Sequence, residues 1–245
     1  MERALHLGCS KGEISENILL AGDPARVELM AQQLERVEKV SSSRGYLIFT
    51  GFYKNIPVTA CATGIGGPST AIALEELGQL GGRRFIRVGS AGGLQPEIDT
   101  GHLVIAHAAW RFDGTSQAYI DLGYPAVADI ELTMALVDAA KLKSSRPFYV
   151  GLVSSGDGFY APKPVGHAER LQRAGLLAGE MECATVFVVC RLRGWQAGAV
   201  LAIDGNIVKG MRKHGVASKE FKEAEKDAIC IALEAIWHVS SKRGI

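Results

Sequence analysis

Short continuous runs of apolar residues alternate with amphipathic segments along the whole chain. The runs are rich in Val, Ile, Leu and Ala, which is typical of strands covered by helices on both faces of a sheet. The predicted strands are Ile18–Gly22, Val58–Gly64, Arg84–Gly89, Leu103–Ala109, Tyr149–Ser154 and Ala199–Asp204. The predicted helices are Pro24–Leu34, Pro68–Leu80, Ile130–Leu142, Ala168–Ala174, Met181–Leu192 and Lys219–Val239.

This alternation predicts an α/β fold with a single domain over residues 1–245, a length that allows a full core. The segment Tyr46–Tyr53 runs into the strand at Val58 across a short polar turn at Lys54 and Asn55, which predicts an antiparallel hairpin. We therefore expect the central sheet to be mixed, partly barrel-like and flanked by helices.

Charge and motif content narrow the possible partners. The formal net charge is +1, which provides no general attraction to nucleic acid or an anionic membrane. No apolar run approaches the roughly 18 residues of a membrane span. The five cysteines are scattered, and no spacing typical of a metal site occurs. We expect a cytoplasmic protein without metal, nucleic-acid or membrane partners. If the protein binds an anion, a few well-placed arginines must form that site.

Several predicted strands end in Gly, Ser or Asp. In open α/β sheets, ligands bind at the carboxyl ends of the strands, and small residues there allow the backbone to approach a ligand closely. The sequence therefore predicts a ligand site built from these ends, at residues 21–23, 63–67, 89–93, 154–158 and 204–206.

Two arginines occupy positions that need an anion. Arg26 lies in the first turn of the helix that follows Gly22, where the helix dipole disfavours a cation; it either meets an anion or lies in solvent beside Asp23. Arg87 lies within an apolar run, so it needs either a buried carboxylate or a bound anion. Ser90, three residues later, could donate to the same anion.

Two groups of carboxylates are also candidates. Glu180 and Glu182 open a predicted helix, where acidic residues ordinarily complement the dipole; alternatively, Glu182 accepts hydrogen bonds from a vicinal diol. Asp204 follows an apolar strand among glycines. That environment can raise the pKa of a carboxyl group and make it a general acid, although a helix N-cap or an Asx turn before Gly205 is an equal alternative.

At these segments the chain resembles the hexameric nucleoside phosphorylases, a family that includes purine and uridine enzymes. The matching segments keep the family's order and, with His6 and Asp204, span essentially the whole chain: Gly22–Val27, Thr63–Ser69, Arg87–Gly92, Tyr124–Asp129 and Glu180–Thr185. The resemblance implies phosphorolysis, in which inorganic phosphate as co-substrate cleaves a nucleoside to a free base and (deoxy)ribose 1-phosphate. It implies no further cofactor.

The resemblance also implies a role for each candidate residue. The expected phosphate ligands are Gly22, Arg26, Arg44, Arg87 and Ser90. The expected ribose ligands are His6, Met181 and Glu182. The expected base pocket consists of Ala91, Gly92, Phe159, Glu180 and Asp204, and Asp204 and Arg87 are the expected catalytic residues. The implied assembly is a homohexamer, a trimer of dimers, in which Arg44 and His6 cross the dimer interface.

The family splits over how the leaving base is recognised. Purine enzymes carry an acid at the position of Asp204, whereas uridine phosphorylases have a Gln and an Arg after a Phe-Tyr pair, which this chain lacks after Phe159. This favours purine nucleosides: inosine, guanosine, adenosine and methylthioadenosine. Uridine stays an alternative because residues 63–70 and 125–129 resemble the uridine enzymes. Lys209 and Arg212 are the candidates for a group that assists the acid.

Two alternatives to phosphorolysis are hydrolysis by a nucleosidase and nucleoside binding without catalysis. Nucleosidases of the same fold use water and lack the phosphate arginines, so Arg26, Arg44 and Arg87 argue against hydrolysis. A non-catalytic nucleoside-binding protein is disfavoured by Glu182 and Asp204. Because Gly45 replaces the acidic residue that binds a monovalent cation in some uridine phosphorylases, we expect no such ion.

Overall fold

The computed structural model describes residues 3–210 and 217–241, which contain ten strands and seven helices. The strands are β1 (Asn17–Ala21), β2 (Glu35–Ser43), β3 (Tyr46–Tyr53), β4 (Ile56–Ala62), β5 (Arg84–Gly93), β6 (Leu103–Phe112), β7 (Ala126–Val127), β8 (Phe148–Gly156), β9 (Ala178–Glu180) and β10 (Gln196–Asn206). The helices are α1 (Pro24–Ala31), α2 (Gly67–Leu80), α3 (Gly114–Tyr119), α4 (Ile130–Lys143), α5 (His167–Arg173), α6 (Cys183–Leu192) and α7 (Lys219–Ser241).

All of these strands join one mixed sheet, and part of it closes on itself. The order β10-β6-β8-β9-β5 is closed by a parallel pairing of β5 with β10, which gives a five-stranded barrel. From β5 the sheet continues outward through β1, β4, β3 and β2. The predicted α/β class with a mixed, partly barrel-like sheet is therefore confirmed.

Helices cover both faces of the sheet, as the continuous apolar strands require. In β1, Ile18 and Leu20 pack into the cluster that contains α2 and α6. Leu19 and Ala21 pack into the opposite cluster, with α1, α4 and α7. Because successive residues of a strand point to opposite faces, a strand between two helix layers has no polar side. Among the described residues, no helix combines the length and apolar character needed to cross a membrane.

The helix starts and the hairpin follow the expected local chemistry. Asp23 caps α1 by accepting from the backbone N–H of Ala25 at 2.9 Å, and Pro24 is the first helical residue. The predicted turn between β3 and β4 is also present. Lys54 and Asn55 have φ values of 47° and 65°, as in the tight turns whose twist matches that of a hairpin.

Several predicted boundaries and elements differ from the structure. The first helix ends at Ala31 rather than Leu34, and the helix predicted from Met181 begins at Cys183. The last predicted strand ended at Asp204, but β10 continues to Asn206. The sequence did not predict β2, β7, β9 or α3. β2 is an edge strand of largely exposed polar residues, and the other three elements have two to six residues, too few to show a periodicity.

Gly78 in α2 provides a test of the packing between a helix and the sheet. A Cβ at Gly78 would lie 1.9 Å from Cη2 of Trp195, whose ring packs on Phe85 at a centroid distance of 5.4 Å. We expect Gly78→Ala to lower the free energy of unfolding by about 1–2 kcal/mol, because overpacking outweighs the helical preference of alanine.

Urea unfolding measures this difference. Gly123→Ala is the matched control, since no heavy atom lies within 4 Å of a Cβ there. A Gly78→Ala variant as stable as the control would contradict the packing of Trp195 against α2.

Candidate active site

The carboxyl end of β5 lies between two strands that carry further candidate residues. Gly92 of β5 pairs with Gly205 of β10 on one side and with Gly179 of β9 on the other. The register of β5 and β10 shifts between Ile203 and Gly205, so Asp204 lies at a β-bulge. The alternative in which Asp204 lies outside a strand, in a turn or at a helix start, is therefore wrong. A β-bulge changes the direction in which a side chain points, and the bulge at Asp204 lies at the expected base pocket.

Small residues at this end of β5 leave space that a neighbouring side chain fills. A Cβ at Gly92 would lie 2.8 Å from Cγ1 of Ile207, whose backbone N–H donates to the carbonyl oxygen of Gly93 at 2.8 Å. Ile207 therefore packs on the strand end that carries Gly92. The sequence did not single out Ile207, because an isolated apolar residue after a strand has no distinguishing pattern.

Arg87 lies in a buried cluster with two carboxylates. Its Nε donates to Oε2 of Glu180 at 2.9 Å, and its Nη2 pairs with Oε2 of Glu182. Burial alone would lower the pKa of the Arg87 guanidinium, but Glu182 and Glu180 together raise it, so the group stays charged. The requirement for an anionic partner is met within the chain. Burial raises the pKa of Glu182 although Arg87 opposes this shift.

The two carboxylates of this cluster have different structural roles. Glu180 accepts from the hydroxyl of Ser155 and from the backbone N–H groups of Glu182 and Cys183 at the start of α6. The expectation that an acidic side chain complements the dipole at a helix start is thus met by Glu180 at the start of α6. Glu182 instead accepts from the backbone N–H of Gly66 at 2.5 Å, at the start of α2. Glu182 therefore joins the beginnings of α2 and α6 to the cation on β5.

Arg26 is buried, with a side chain that is 6% exposed, so its interpretation as a solvent-exposed residue is wrong. Its Nε donates to Oε1 of Glu225 in α7 at 2.6 Å, and its Nη1 donates to the carbonyl oxygen of Val88 at 3.2 Å. Asp23 is occupied by the cap of α1. A largely buried carboxylate from a distant helix, which no local pattern indicates, compensates the charge of this arginine.

The backbone comes close together where β1 and β4 end. A Cβ at Gly22 would lie 3.0 Å from the carbonyl oxygen of Gly64, a contact tighter than nearly all real side chains make. Gly22 is thus the residue that lets the two strand ends approach beside Arg26. Ser90, on the neighbouring strand β5, is half-buried.

Arg44 lies apart from the other arginines. It occupies the turn between β2 and β3, where Ser43 pairs with Tyr46, and it is exposed with a φ of 50°. Within residues 3–210 and 217–241 it has no hydrogen-bond or ion-pair partner. This hairpin is at the outer edge of the sheet, beyond β1 and β4 from β5. The structure of one chain therefore does not bring Arg44 to Arg87.

His6 is held by Glu76 of α2. Nδ1 of His6 lies 2.6 Å from Oε1 of Glu76. Oε1 also accepts from the backbone N–H of His6, and Oε2 accepts from that of Leu7. Burial alone would raise the pKa of Glu76. The hydrogen bonds from Leu7 and His6 outweigh the effect of burial, so the pKa lies below its ordinary value. Glu76 follows Gly67, the start of α2, by nine residues, or about 14 Å at the helical rise. The chain therefore does not bring its own His6 to Glu182, which lies at that start.

The remaining candidates are near the surface. Met181 is half-buried beside Glu182, between β9 and α6. Phe159 is exposed in the segment after β8, with its ring centroid 4.9 Å from that of Tyr160. Lys209 pairs through Nζ with the carboxylate of Asp99 at 2.5 Å, so its cation has a partner other than Asp204. Arg212, the other candidate to assist the acid, is outside the described residues.

The chain is similar to known enzymes over almost its full length. The model of the phosphorylase superfamily matches residues 17–239. The uridine phosphorylase of Thermococcus kodakarensis is 39% identical, over 94% of this chain and 84% of that protein. The guanosine phosphorylase of Halorubrum lacusprofundi is 38% identical, over 96% and 99%. The uridine phosphorylase of Treponema pallidum is 41% identical, over 94% and 92%.

A solved structure agrees with these relatives. The uridine phosphorylase of Vibrio fischeri, crystallised with 6-hydroxy-1-naphthoic acid, superimposes with a TM-score of 0.91 at 33% identity and covers 97% of this chain and 98% of that one. The chain therefore belongs to the phosphorylase superfamily and is a nucleoside phosphorylase, a pentosyltransferase.

Removing the cation of the buried cluster tests its electrostatics. We expect Arg87→Ala to lower the free energy of unfolding by about 3–5 kcal/mol at pH 7, because Glu180 and Glu182 would be left buried without a partner. Burial raises the pKa of Glu182, and without Arg87, which opposes this shift, the pKa rises further above that of the unfolded chain. The deficit in the free energy of unfolding of Arg87→Ala relative to wild type should therefore shrink at acidic pH and grow as the pH rises.

Urea unfolding between pH 4 and pH 8 measures this dependence. In the control Arg87→Met with Glu180→Gln and Glu182→Gln no charge is left unpaired, so most of the stability should return. A deficit of Arg87→Ala that does not change with pH would show that unpaired carboxylates are not its cause.

Proposed function

We propose that the protein catalyses phosphorolysis of purine nucleosides. The observation that carries this proposal is a carboxylic acid, Asp204, at the β-bulge beside Gly92. Purines leave most easily when a ring nitrogen is protonated, and a positioned acid supplies that proton. A relative that is 38% identical over nearly the full length of both chains is a guanosine phosphorylase.

The phosphate site is proposed where the end of β1 lies beside β5. Gly22 directly follows β1, Arg26 lies in the first turn of α1, and Arg87 and Ser90 lie within β5. Burial raises the pKa of Glu182, the guanidinium of Arg26 is close enough to oppose this rise, and Arg87 contacts Glu182 directly. Two arginines thus share a region with the carboxylate proposed to bind the ribose diol. Arg26 and Arg87 would stabilise the oxygens of a phosphate dianion.

A second copy of the chain is proposed to complete the site. Arg44 is exposed on an edge hairpin, and His6 is held roughly 14 Å along α2 from its start, so neither joins the site of its own chain. We propose that Arg44 reaches the phosphate and His6 the 5′ side of the ribose in a partner subunit. The catalytic unit is then a dimer, within the hexamer that the family resemblance implies.

The proposed chemistry follows from these positions. Glu182, next to Met181, binds the ribose hydroxyls. The N-glycosidic bond breaks with its electron pair moving to the base, which takes the proton of Asp204. The ribosyl centre gains oxocarbenium character, and a phosphate oxygen bonds to the anomeric carbon. Charge complementarity and positioning supply most of the rate, with phosphate as the only co-substrate.

Uridine is the second candidate substrate. The relatives from Thermococcus kodakarensis and Treponema pallidum are uridine phosphorylases at 39% and 41% identity. In both candidates the base would lie among Ala91, Gly92, Phe159 and Glu180, and only the purine proposal needs the proton of Asp204.

Base release measured with and without phosphate tests the proposal. The substrates are inosine, guanosine, adenosine, methylthioadenosine and uridine. We expect release of the purine bases that depends on phosphate. Release from uridine alone would overturn the base assignment and leave a phosphorylase, whereas release independent of phosphate would indicate hydrolysis.

The role of Asp204 has a test of its own. We expect Asp204→Asn to lower kcat/KM for guanosine about 100-fold, as for loss of a general acid, and to change cleavage of uridine less than about threefold. Asp138→Asn, on the exposed side of α4, is the control and should change neither. An equal loss for both nucleosides would remove Asp204 as the proton donor.

A further inference from the structure

We propose that Glu225 of α7 is a positioning residue for phosphate binding, because it fixes the guanidinium of Arg26. This inference rests on the proposed role of Arg26 as a phosphate ligand. The two side chains meet across 199 residues of sequence, with Nε of Arg26 2.6 Å from Oε1 of Glu225. Both are largely buried, at 6% and 12% exposure, so the pair is shielded from solvent.

Arg26 needs such a partner because of where it lies. In the first turn of α1 its charge is unfavourable with respect to the helix dipole, and burial removes its hydration. A flexible side chain there would turn toward solvent. Glu225 compensates the charge and orients the group at once.

The hydrogen bonds of the guanidinium leave part of it available. Arginine has five N–H donors in one plane. Glu225 takes the one on Nε, and the carbonyl oxygen of Val88 takes one on Nη1. These two acceptors fix the orientation of the plane. The remaining donors, on Nη1 and Nη2, can bind phosphate in the bidentate manner that arginine favours.

The backbone that carries Glu225 is firmly placed. Ala224 and Phe221, on the same helix, are buried in the cluster that also contains Val27 of α1. The first turns of α1 and α7 therefore share one core, and the separation of Arg26 from Glu225 is set by packing. A supporting carboxylate on a rigid element preorganises the ligand that it holds.

Kinetics of single variants test the inference. We expect Glu225→Ala to raise the KM for phosphate about tenfold, the size expected for loss of a hydrogen bond to a charged group, and to leave the KM for the nucleoside within about twofold. Glu225→Gln keeps an acceptor for Nε and should raise the KM for phosphate by only about threefold. Glu223→Gln is the matched control: this residue lies on the same helix, pairs with Arg146 and should leave both constants unchanged.

A second readout does not depend on turnover. The increase in Tm on adding inorganic phosphate should be largest for wild type and Glu223→Gln, smaller for Glu225→Gln and smallest for Glu225→Ala. If Glu225→Ala fails to fold, Glu225→Gln decides the matter by the same two measurements.

The outcomes separate this inference from the proposed function. Phosphate-dependent turnover by wild type, together with an unchanged KM for phosphate in both Glu225 variants, would overturn the role of Glu225 alone. Parallel increases in the KM for phosphate and for nucleoside would indicate a purely structural role and also overturn it. Turnover by wild type that does not depend on phosphate would overturn both proposals.

Discussion

The site depends on the compensation of buried positive charge. Arg26 and Arg87 lie within the fold, where an unpaired cation would be strongly destabilising, and each is matched by a carboxylate from a distant part of the chain. Arg87 has Glu180 and Glu182, and Arg26 has Glu225. These pairs hold the cations in place, so that binding an anion requires little reorganisation of the protein. Without them the arginines would turn toward water.

Glu182 connects this electrostatic arrangement to the fold. Its carboxylate accepts from Gly66 at the start of α2 and pairs with Arg87 of β5, while its backbone N–H donates to Glu180 at the start of α6. The starts of two helices and one strand therefore converge on one side chain. Two positive helix ends and the guanidinium of Arg87 thus lie against the carboxylates of Glu180 and Glu182.

The sequence was sufficient for the long buried strands and most helices, because strands buried on both faces leave continuous apolar runs. It did not predict β9, the short strand that joins β8 to β5 in the barrel. It also indicated that Arg87 needs an anionic partner, since an arginine within such a run is unusual. It could not indicate Glu225 as the partner of Arg26, because that contact depends on how α7 packs. β2 could not be predicted either, because its residues are polar and it is a strand only through its pairing with β3.

The bulge at Asp204 is where the two possible substrates diverge. Gly205, the next residue, pairs with Gly92 of β5, which in turn pairs with Gly179 of β9, and Ile207 packs on Gly92. In the proposed reaction, discrimination between bases would depend on protonation of the leaving group, which a purine uses and uracil does not require from this acid. The same proposed phosphate and ribose ligands would serve either base, and one carboxyl group would determine which of them leaves readily.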